Sequence, residues 1–267
     1  MIEPRRPRPR RRFGQHFLHD RGVIERIVSA IDPRPGERVV EIGPGEGALT
    51  EPLRARVPAL DVVEIDRDLA GALRERHRDD PGFRLHEGDA LRFDFGALAD
   101  GAPLKVVGNL PYNISTPLLF HLLGQADRIV AMVFMLQREV AERITAAPGT
   151  GAYGRLSVMV QYRCRTEWLF GVAPGCFRPP PRVHSAVLRL TPRGPAQAAH
   201  DPARLADVVR LAFGQRRKTL RNSLMPLLPE QALRDAGVDP ARRPETLSVA
   251  EFVALANACP AAPAQKI

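Results

Sequence analysis

Short apolar segments alternate with stretches of helical periodicity between residues 38 and 146, and this alternation constrains the fold more than any other feature. Parallel strands need crossover connections of this kind, and the helices then cover both faces of the sheet. The pattern therefore predicts an α/β domain with a mostly parallel sheet. The predicted strands lie at 38–42, 60–65, 83–87, 104–108 and 129–136, and the predicted helices near 48–57, 67–78, 115–124 and 137–146.

The pattern changes after residue 155. Three strand-like segments, LSVMVQYRC, WLFGV and SAVLRL, follow, and Pro179-Pro180-Pro181 interrupts them. Adjacent prolines are excluded from a central strand, so we expect a rigid loop there. The composition of residues 191–203 is typical of a linker, and 204–258 is predicted to contain only helices. We place a domain boundary near 191–201.

The chain is strongly basic, with 39 Lys and Arg against 30 Asp and Glu and a formal net charge of +9. All but three of the basic residues are arginine, whose planar side chain matches phosphate oxygens. A polyanionic partner explains this excess, and so does the compositional habit of an arginine-rich proteome; composition alone does not decide between them. Residues 1–12 contain six arginines, and we interpret them as a disordered basic arm.

Other features of the sequence exclude several classes of protein. No apolar run is long enough for a transmembrane helix, and the basic N-terminus is not followed by the apolar segment of a secretory signal. The three cysteines form no C-x-x-C pair, which favours a reducing environment over a disulfide framework or a zinc finger. We therefore expect a cytoplasmic protein without membrane contact.

A glycine-rich turn follows the first predicted strand of the sheet. Gly43 and Gly45 let the backbone turn tightly beside a ligand, and Glu64 ends the next strand, where a carboxylate can hold a ribose diol. These features fit NAD and S-adenosylmethionine equally well. Asp89 after the third strand can accept from an adenine amino group, and Glu41 before the glycines would repel a pyrophosphate but suit a cation. Together the three acids favour S-adenosylmethionine over a dinucleotide.

The segment Asn109-Leu110-Pro111-Tyr112 follows the fourth predicted strand, at the edge where such sheets bind ligands. An exocyclic amine such as adenine N6 is a poor nucleophile because its lone pair is delocalised into the ring. The Asn109 side-chain oxygen and the Leu110 carbonyl can both accept from that amine and stabilise its developing positive charge. Tyr112 offers a flat ring to a base taken out of its stack.

Several motifs occur in the order of a known family: EIGPGEGALTE, EIDRDLA, GNLPYNIST, YGRLSVMVQ, FRPPPRVHSAVLRL and FGQRRKTLRNSL. With them the chain resembles the ribosomal RNA adenine dimethyltransferases over residues 11–258, most of all the bacterial small-subunit branch. The resemblance implies a mostly parallel, seven-stranded Rossmann-like methyltransferase sheet in residues 13–192 and a small all-helical, RNA-binding C-terminal domain in residues 201–260. It also implies transfer of methyl groups from S-adenosylmethionine to N6 of two adjacent adenosines near the 3′ end of small-subunit rRNA, with S-adenosylhomocysteine as the product.

The family's functional residues are carried over position by position. The resemblance implies that Tyr112 and Phe177 stack on the target base and that Asn109 contacts both the cofactor and the reacting amine. His16 stands where many relatives have Asn. The residues that the resemblance assigns to the cofactor are His16, Leu18, Gly43, Gly45, Glu64, Asp89, Ala90 and Asn109.

Arg216, Arg217, Lys218 and Arg221 are predicted to cluster on about two helical turns and to bind RNA. The resemblance further implies a pre-30S particle as partner, and we expect a monomer that needs no metal, since methyl transfer from a sulfonium depends mainly on positioning. Two alternatives stay open: a large-subunit rRNA adenine N6-methylase of the macrolide-resistance type, and a non-catalytic ribosome assembly factor. An NAD-dependent oxidoreductase is less favoured.

Overall fold

The computed structural model describes residues 15–34, 36–194, 198–215 and 218–260. The described chain divides into two compact units. The first contains the residues up to Ala141 together with Arg165–Pro192, and the second contains Glu142–Cys164 and the residues from Arg193 onward. The predicted basic arm, residues 1–12, lies outside the described residues.

Nine strands and ten α-helices make up the described chain. The strands are β1 Phe17–Leu18, β2 Arg38–Ile42, β3 Leu60–Glu64, β4 Phe83–Glu87, β5 Leu104–Asn109, β6 Ile129–Gln137, β7 Cys164–Val172, β8 Phe177–Arg178 and β9 Ser185–Pro192. The helices are α1 Arg21–Ile31, α2 Thr50–Arg54, α3 Arg67–Arg76, α4 Ser115–Leu123, α5 Arg138–Thr145, α6 Arg155–Arg163, α7 Pro202–Gly214, α8 Leu220–Leu224, α9 Glu230–Asp235 and α10 Val249–Ala258.

Seven strands form one sheet in the order β4–β3–β2–β5–β6–β9–β7. The pairs β4–β3, β3–β2, β2–β5 and β5–β6 are parallel, and β9 runs antiparallel to β6. The mostly parallel, seven-stranded sheet predicted from the sequence is thereby confirmed. Strands β1 and β8 form a separate antiparallel pair in which Leu18 lies opposite Phe177. The carboxyl ends of β2, β3, β4 and β5 meet at one edge of the large sheet, where ligands bind in folds of this kind.

The elements form where the sequence predicts them because local signals and burial agree. Asp20 accepts a hydrogen bond from the Val23 backbone N–H (2.9 Å) and so caps α1, whose apolar face is buried. Strand β3 is buried along its whole length, as expected for a central parallel strand covered on both faces. All five strands predicted between residues 38 and 136 are confirmed within one residue at either end.

The strand predicted over LSVMVQYRC is wrong: Arg155–Arg163 is the helix α6, and β7 begins only at Cys164. Alternation of apolar and polar residues suggested a strand, but Val158 and Tyr162 lie one helical turn apart and pack into the core of the helical unit. The Ser157 hydroxyl accepts from the Gly154 N–H and donates to the Arg143 carbonyl. Capping and packing thus outweigh the β propensity of this segment.

The second unit has a core of its own, built from α6, α7, α8, α9 and α10. It contains the apolar groups predicted at helical spacing, with Leu205, Val208, Val209 and Ala212 from α7 fully buried. From the sequence we expect Glu142–Cys164 to belong to the methyltransferase domain, residues 13–192. The contacts of this segment assign it to the helical unit instead, because its apolar face completes that core. Among the described residues, each helix is too short or too polar to span a bilayer.

Candidate active site at the carboxyl edge of the sheet

One cavity opens at the carboxyl edge of the parallel strands, within the first unit. Its walls come from Gln15–Leu18, the loop after β2, the end of β3, and the turns after β4 and β5. Ten of the predicted site residues line it: His16, Leu18, Gly43, Gly45, Glu64, Asp89, Ala90, Asn109, Leu110 and Tyr112. Tertiary structure thus brings together residues that are up to 96 positions apart, counted from His16 to Tyr112.

The glycine loop after β2 needs glycine for two reasons. Gly43 and Gly45 have φ angles of 66° and 59°, a conformation that is costly for residues with a Cβ atom. A Cβ atom at Gly45 would also lie 3.2 Å from the ring of Phe17, which covers the loop. The loop is therefore a flat backbone surface on the cavity wall, as a ligand approaching the main chain requires.

Glu64 is held at the end of β3 by two backbone donors. Its Oε2 accepts from the Gly45 N–H (3.2 Å) and its Oε1 accepts from the Asp66 N–H (2.9 Å). Burial raises the pKa of the Glu64 carboxyl, and the two backbone hydrogen bonds partly oppose that rise. The side chain thus joins the glycine loop to the end of β3 and keeps a fixed orientation in the wall of the cavity.

Glu41 is 1 % exposed and lies just before the glycines. Its Oε2 accepts from the Thr50 hydroxyl at 2.7 Å, at the start of α2. Burial raises the pKa of Glu41 to about 8, the Thr50 hydrogen bond lowers it, and the carboxylates of Glu64 and Glu51 add to the rise. A buried carboxyl group of this kind favours a cationic ligand, because a positive charge restores the ionised form.

Asp89 and Ala90 form the turn after β4. Asp89 Oδ1 accepts from the Leu91 N–H (2.9 Å), and the Gly88 N–H donates to the Glu64 carbonyl (2.9 Å). Asp89 is thus a local turn residue whose other oxygen, Oδ2, has no hydrogen-bond partner among the described residues. That oxygen is available to accept a hydrogen bond from a ligand in the cavity.

The N-terminal segment orients Asn109 at the end of β5. The Asn109 amide nitrogen donates to the His16 carbonyl at 3.1 Å, which leaves its side-chain oxygen as the free acceptor. The Leu110 N–H donates to the Met135 carbonyl (3.1 Å), so the turn is also fixed to β6. Two acceptors, the Asn109 side-chain oxygen and the Leu110 carbonyl, therefore stand on a preorganised turn.

Tyr112 stacks on the ring of His16, with ring centroids 5.7 Å apart and planes inclined by 29°. Its hydroxyl shares a hydrogen bond of 2.7 Å with the Ser185 hydroxyl, at the start of β9. Burial raises the pKa of Tyr112, so the phenol stays neutral. His16 Nδ1 donates to the Pro179 carbonyl at 2.7 Å, which fixes the imidazole against the loop after β8.

Phe177 is the predicted site residue of the first unit that does not line the cavity. Its side chain is 2 % exposed, packs in the core of the first unit and does not line the cavity. The pairing of β8 with β1 places it opposite Leu18, and it packs with the other apolar residues of this core. A stacking role for Phe177 would require the ring to leave this core, so that assignment stays a prediction.

The predicted RNA-binding cluster is only partly described. Arg216 and Arg217 lie outside the described residues, while Lys218 and Arg221 are exposed. The prediction that the cluster lies on about two helical turns is wrong for Lys218, which precedes α8 in a bend, whereas Arg221 lies on α8. Thr219 has the extended backbone of a helix N-cap, and this interrupts the helix.

Sequence reasoning missed two contributors to the cavity. The Gln15 amide donates to the Asp66 carboxylate (3.2 Å), which fastens the N-terminal segment to the turn after β3. Ser185 holds the hydroxyl of Tyr112 from a strand 73 positions away. Gln15 adjoins the predicted site residue His16 in the sequence, which is a weak indication of its role. Nothing in the sequence pairs Ser185 with Tyr112.

The donor set fits S-adenosylmethionine. The carboxylates of Glu64 and Asp89 are acceptors of the kind that a ribose diol and an adenine amino group require, and a buried carboxyl group such as Glu41 suits a cation near the glycine loop. A seven-stranded, mostly parallel sheet with these features at its carboxyl edge defines a Rossmann-like, S-adenosylmethionine-dependent methyltransferase. The chain matches the ribosomal RNA adenine dimethylase family over residues 7–260 and belongs to that family.

Relatives and solved structures agree with this membership. A protein of Pseudomonas aeruginosa named ribosomal RNA small subunit methyltransferase A is 58% identical over 259 residues, which cover 96% of this chain and 97% of the relative. A protein of the same name from Chromohalobacter salexigens is 58% identical over 254 residues, covering 93% and 90% of the two chains.

Two crystal structures share the fold. A dimethyladenosine transferase from Plasmodium falciparum superposes with a TM-score of 0.78 at 24% identity, covering 90% of this chain and 96% of the other, and at that identity the likeness shows the fold alone. The 23S rRNA methyltransferase ErmE superposes with a TM-score of 0.69 at 31% identity, covering 91% and 98%.

Proposed function

We propose that this protein dimethylates N6 of two adjacent adenosines near the 3′ end of small-subunit rRNA. The observation that carries the proposal is the turn after β5, where the Asn109 amide is oriented by the His16 carbonyl on the wall of the cavity. The relatives at 58% identity, which are named as small-subunit rRNA methyltransferases, supply the substrate class.

We assign the cofactor to the part of the cavity between the glycine loop and the turn after β4. When bound, S-adenosylmethionine supplies a methyl group on a positively charged sulfur. Glu64 takes the ribose hydroxyls, Asp89 with Ala90 takes the adenine ring, and Glu41 complements the positive charge. His16 and Leu18 border the same space from the N-terminal segment, and Gly43 and Gly45 let the ligand approach the backbone.

The reacting amine is held by acceptors and needs no general base. The Asn109 side-chain oxygen and the Leu110 carbonyl accept the two N–H groups of adenine N6, which favours a tetrahedral nitrogen and stabilises its developing charge. Once methylated, the ammonium is strongly acidic and loses its proton to water. This chemistry requires no metal and no covalent enzyme intermediate.

The target base must leave its stack to reach this turn. Tyr112 lies on the cavity wall beside this turn, and its ring is held on one face by His16 and at its hydroxyl by Ser185. A ring with so little freedom offers a stacking surface at a small entropic cost. Phe177 would join it only after a rearrangement of β8.

The RNA outside the cavity needs basic surface. Lys218 and Arg221 are exposed on the helical unit. Arg216 and Arg217 add charge next to them in the sequence, and residues 1–12 hold six further arginines. We infer that the partner is small-subunit rRNA in a pre-30S particle, that the protein acts as a monomer, and that it does so in the cytoplasm.

Two other functions have weaker support. A large-subunit rRNA methylase is the function named for ErmE, but the chain is 31% identical to ErmE and 58% identical to the small-subunit relatives. A non-catalytic assembly factor has no need of the oriented Asn109, the fixed Glu64 and the stacked Tyr112.

The test is a mass-spectrometric assay for dimethyladenosine. Purified protein and S-adenosylmethionine are added to undermethylated small subunits, with large-subunit RNA in a parallel reaction and the Asn109→Ala variant as the control. We expect dimethyladenosine at two adjacent positions in the small-subunit RNA only. Product in the large-subunit RNA alone would favour the first alternative, and cofactor binding without product in either RNA would favour the second.

A further inference from the structure

The segment Arg178–His184, here called the proline loop, carries positive charge that nothing in the described chain neutralises. Arg178 and Arg182 flank the three prolines, and both side chains are exposed and make no ion pair or hydrogen bond with the described residues. Some other arginines of this unit are paired, such as Arg38 with Asp61 and Arg54 with Asp80, whereas others, such as Arg56, are not. The proline loop therefore keeps two arginine side chains free for an anion.

Both ends of the proline loop are tied to the reacting end of the cavity. Near its start, the Pro179 carbonyl accepts from His16 Nδ1 at 2.7 Å, and His16 stacks on Tyr112. At its end, the Arg138 N–H donates to the His184 carbonyl at 2.9 Å, and the next residue, Ser185, binds the Tyr112 hydroxyl at 2.7 Å. Two separate contacts thus connect this loop to Tyr112.

Prolines restrict the backbone between the two arginines. The ring of proline fixes φ near −65°, and three in succession leave few conformations to lose on binding. The backbone positions of the two arginines, four residues apart, are thereby fixed on a stiff segment whose ends are held, while their side chains stay free. A flexible loop with the same charge would bind phosphate without determining where the neighbouring base lies.

We propose that Arg178 and Arg182 bind the backbone phosphates next to the target adenosine, and that the proline loop thereby positions the target base against Tyr112 and Asn109. Arginine pairs well with phosphate because its planar group donates two parallel hydrogen bonds. The proposal rests on the proposed function, since it names the part of the RNA that the site recognises. It makes Arg178 and Arg182 positioning residues.

The first experiment compares the double variant Arg178→Gln/Arg182→Gln with the single variant Arg56→Gln. Arg56 is also exposed and without a partner among the described residues, but it precedes β3 and so lies at the opposite, amino edge of the parallel strands. In the double variant we expect a roughly tenfold higher KM for small subunits and a salt dependence of log KM that is flatter by about 1.4–1.8. Cofactor affinity should stay at the wild-type value.

The second experiment distinguishes local phosphates from general attraction to RNA. Small subunits are reconstituted with RNA that carries neutral methylphosphonates on both sides of the target adenosine. Wild-type protein should lose affinity for this RNA, while the double variant should lose little beyond what its substitutions already cost. The proposal would be overturned if the loss of affinity from the substitutions and the loss from the methylphosphonates added in full. It would also be overturned if the double variant had the same KM and salt dependence as Arg56→Gln. If wild-type protein fails to methylate unmodified small subunits, the proposed function itself fails instead.

Discussion

The cavity and the basic surface of this protein differ in the sign and the exposure of their charged groups: the cavity has buried carboxyl groups, and the surface has exposed arginines. Inside the cavity, Glu41 and Glu64 are buried, and hydroxyl or backbone donors fix their carboxyl groups. On the surface, Arg178, Arg182 and Arg221 are exposed. Burial gives a small cationic ligand a fixed set of partners, whereas exposed arginines suit a large polyanion whose affinity depends on salt.

The largest effect is expected for Asn109→Ala. The variant loses the oriented acceptor at the reacting amine, so kcat should fall by ~10²–10³, the range for one preorganised polar contact. Single-turnover methylation of small subunits measures it, with Asn222→Ala on the exposed face of α8 as the control. Turnover near the wild-type value would remove Asn109 from the mechanism.

Glu64→Ala should affect cofactor binding in the cavity without affecting RNA binding at the basic surface. The variant loses the carboxylate assigned to the ribose hydroxyls, so cofactor affinity should fall roughly 10- to 100-fold, as for a lost hydrogen bond to a charged group. RNA affinity should not change. Calorimetric titration measures the affinity for the cofactor, and filter binding of small subunits measures the affinity for RNA. The variant Glu75→Ala, at an exposed position, is the control in both. An equal loss of both affinities would contradict this expectation.

Glu41 makes the cavity sensitive to pH. Its pKa of about 8 in the folded chain lies above the ordinary value of 4.5, so its stabilising effect is complete below pH 4.5 and is lost as the pH rises through 8. Without cofactor, Glu41→Gln should therefore lose less thermal stability than wild type between pH 6 and pH 9. For each kcal/mol by which the free energies of unfolding of the two proteins come to differ, we expect a difference of about 2–4 °C in Tm.

The same group should make cofactor binding depend on pH. A cationic ligand favours the ionised carboxyl group, so wild-type affinity should rise with pH up to about 8. Any titration of the ligand itself is common to wild type and Glu41→Gln, so the comparison isolates Glu41. Parallel pH profiles of the two proteins would rule out this role.

The smallest effect is expected on the helical unit. Glutamine substitutions at Arg216, Arg217, Lys218 and Arg221, made one at a time, should each flatten the slope of log K against log salt by about 0.7–0.9 where a phosphate contact is lost. Arg234→Gln is the control because Arg234 pairs with Glu230 on the exposed side of α9. Unchanged slopes would make this cluster an ordinary surface.

Local patterns predicted the parts of the fold in which every level of structure agrees. The strands from 38 to 136 alternate with helices, Asp20 caps α1, and Gly43 and Gly45 adopt positive φ angles. The ends of parallel strands meet at one edge whatever the details of packing, so Glu64, Asp89 and Asn109 could be assigned to one cavity in advance.

The strand predicted over LSVMVQYRC was wrong because distant contacts outweigh the local preference of that segment. LSVMVQYRC has the composition of a strand, but the core of the helical unit and the hydrogen bonds of Ser157 make it a helix. Phe177 lies in a motif whose family role is stacking; here it lies opposite Leu18 and is buried, and the stacking role stays a prediction. A sequence pattern reports propensity, and neither of these contacts is visible in it.

The sequence by itself determined the class of fold, the glycine turn and the identity of the acidic and amide residues, because these depend on period, spacing and side-chain chemistry. Only the tertiary structure decided that the His16 carbonyl orients Asn109, that Ser185 holds Tyr112, and that burial beside Thr50 and Glu64 raises the pKa of Glu41. These features need atoms from segments far apart in the chain, and their energies depend on solvent exclusion that only packing creates.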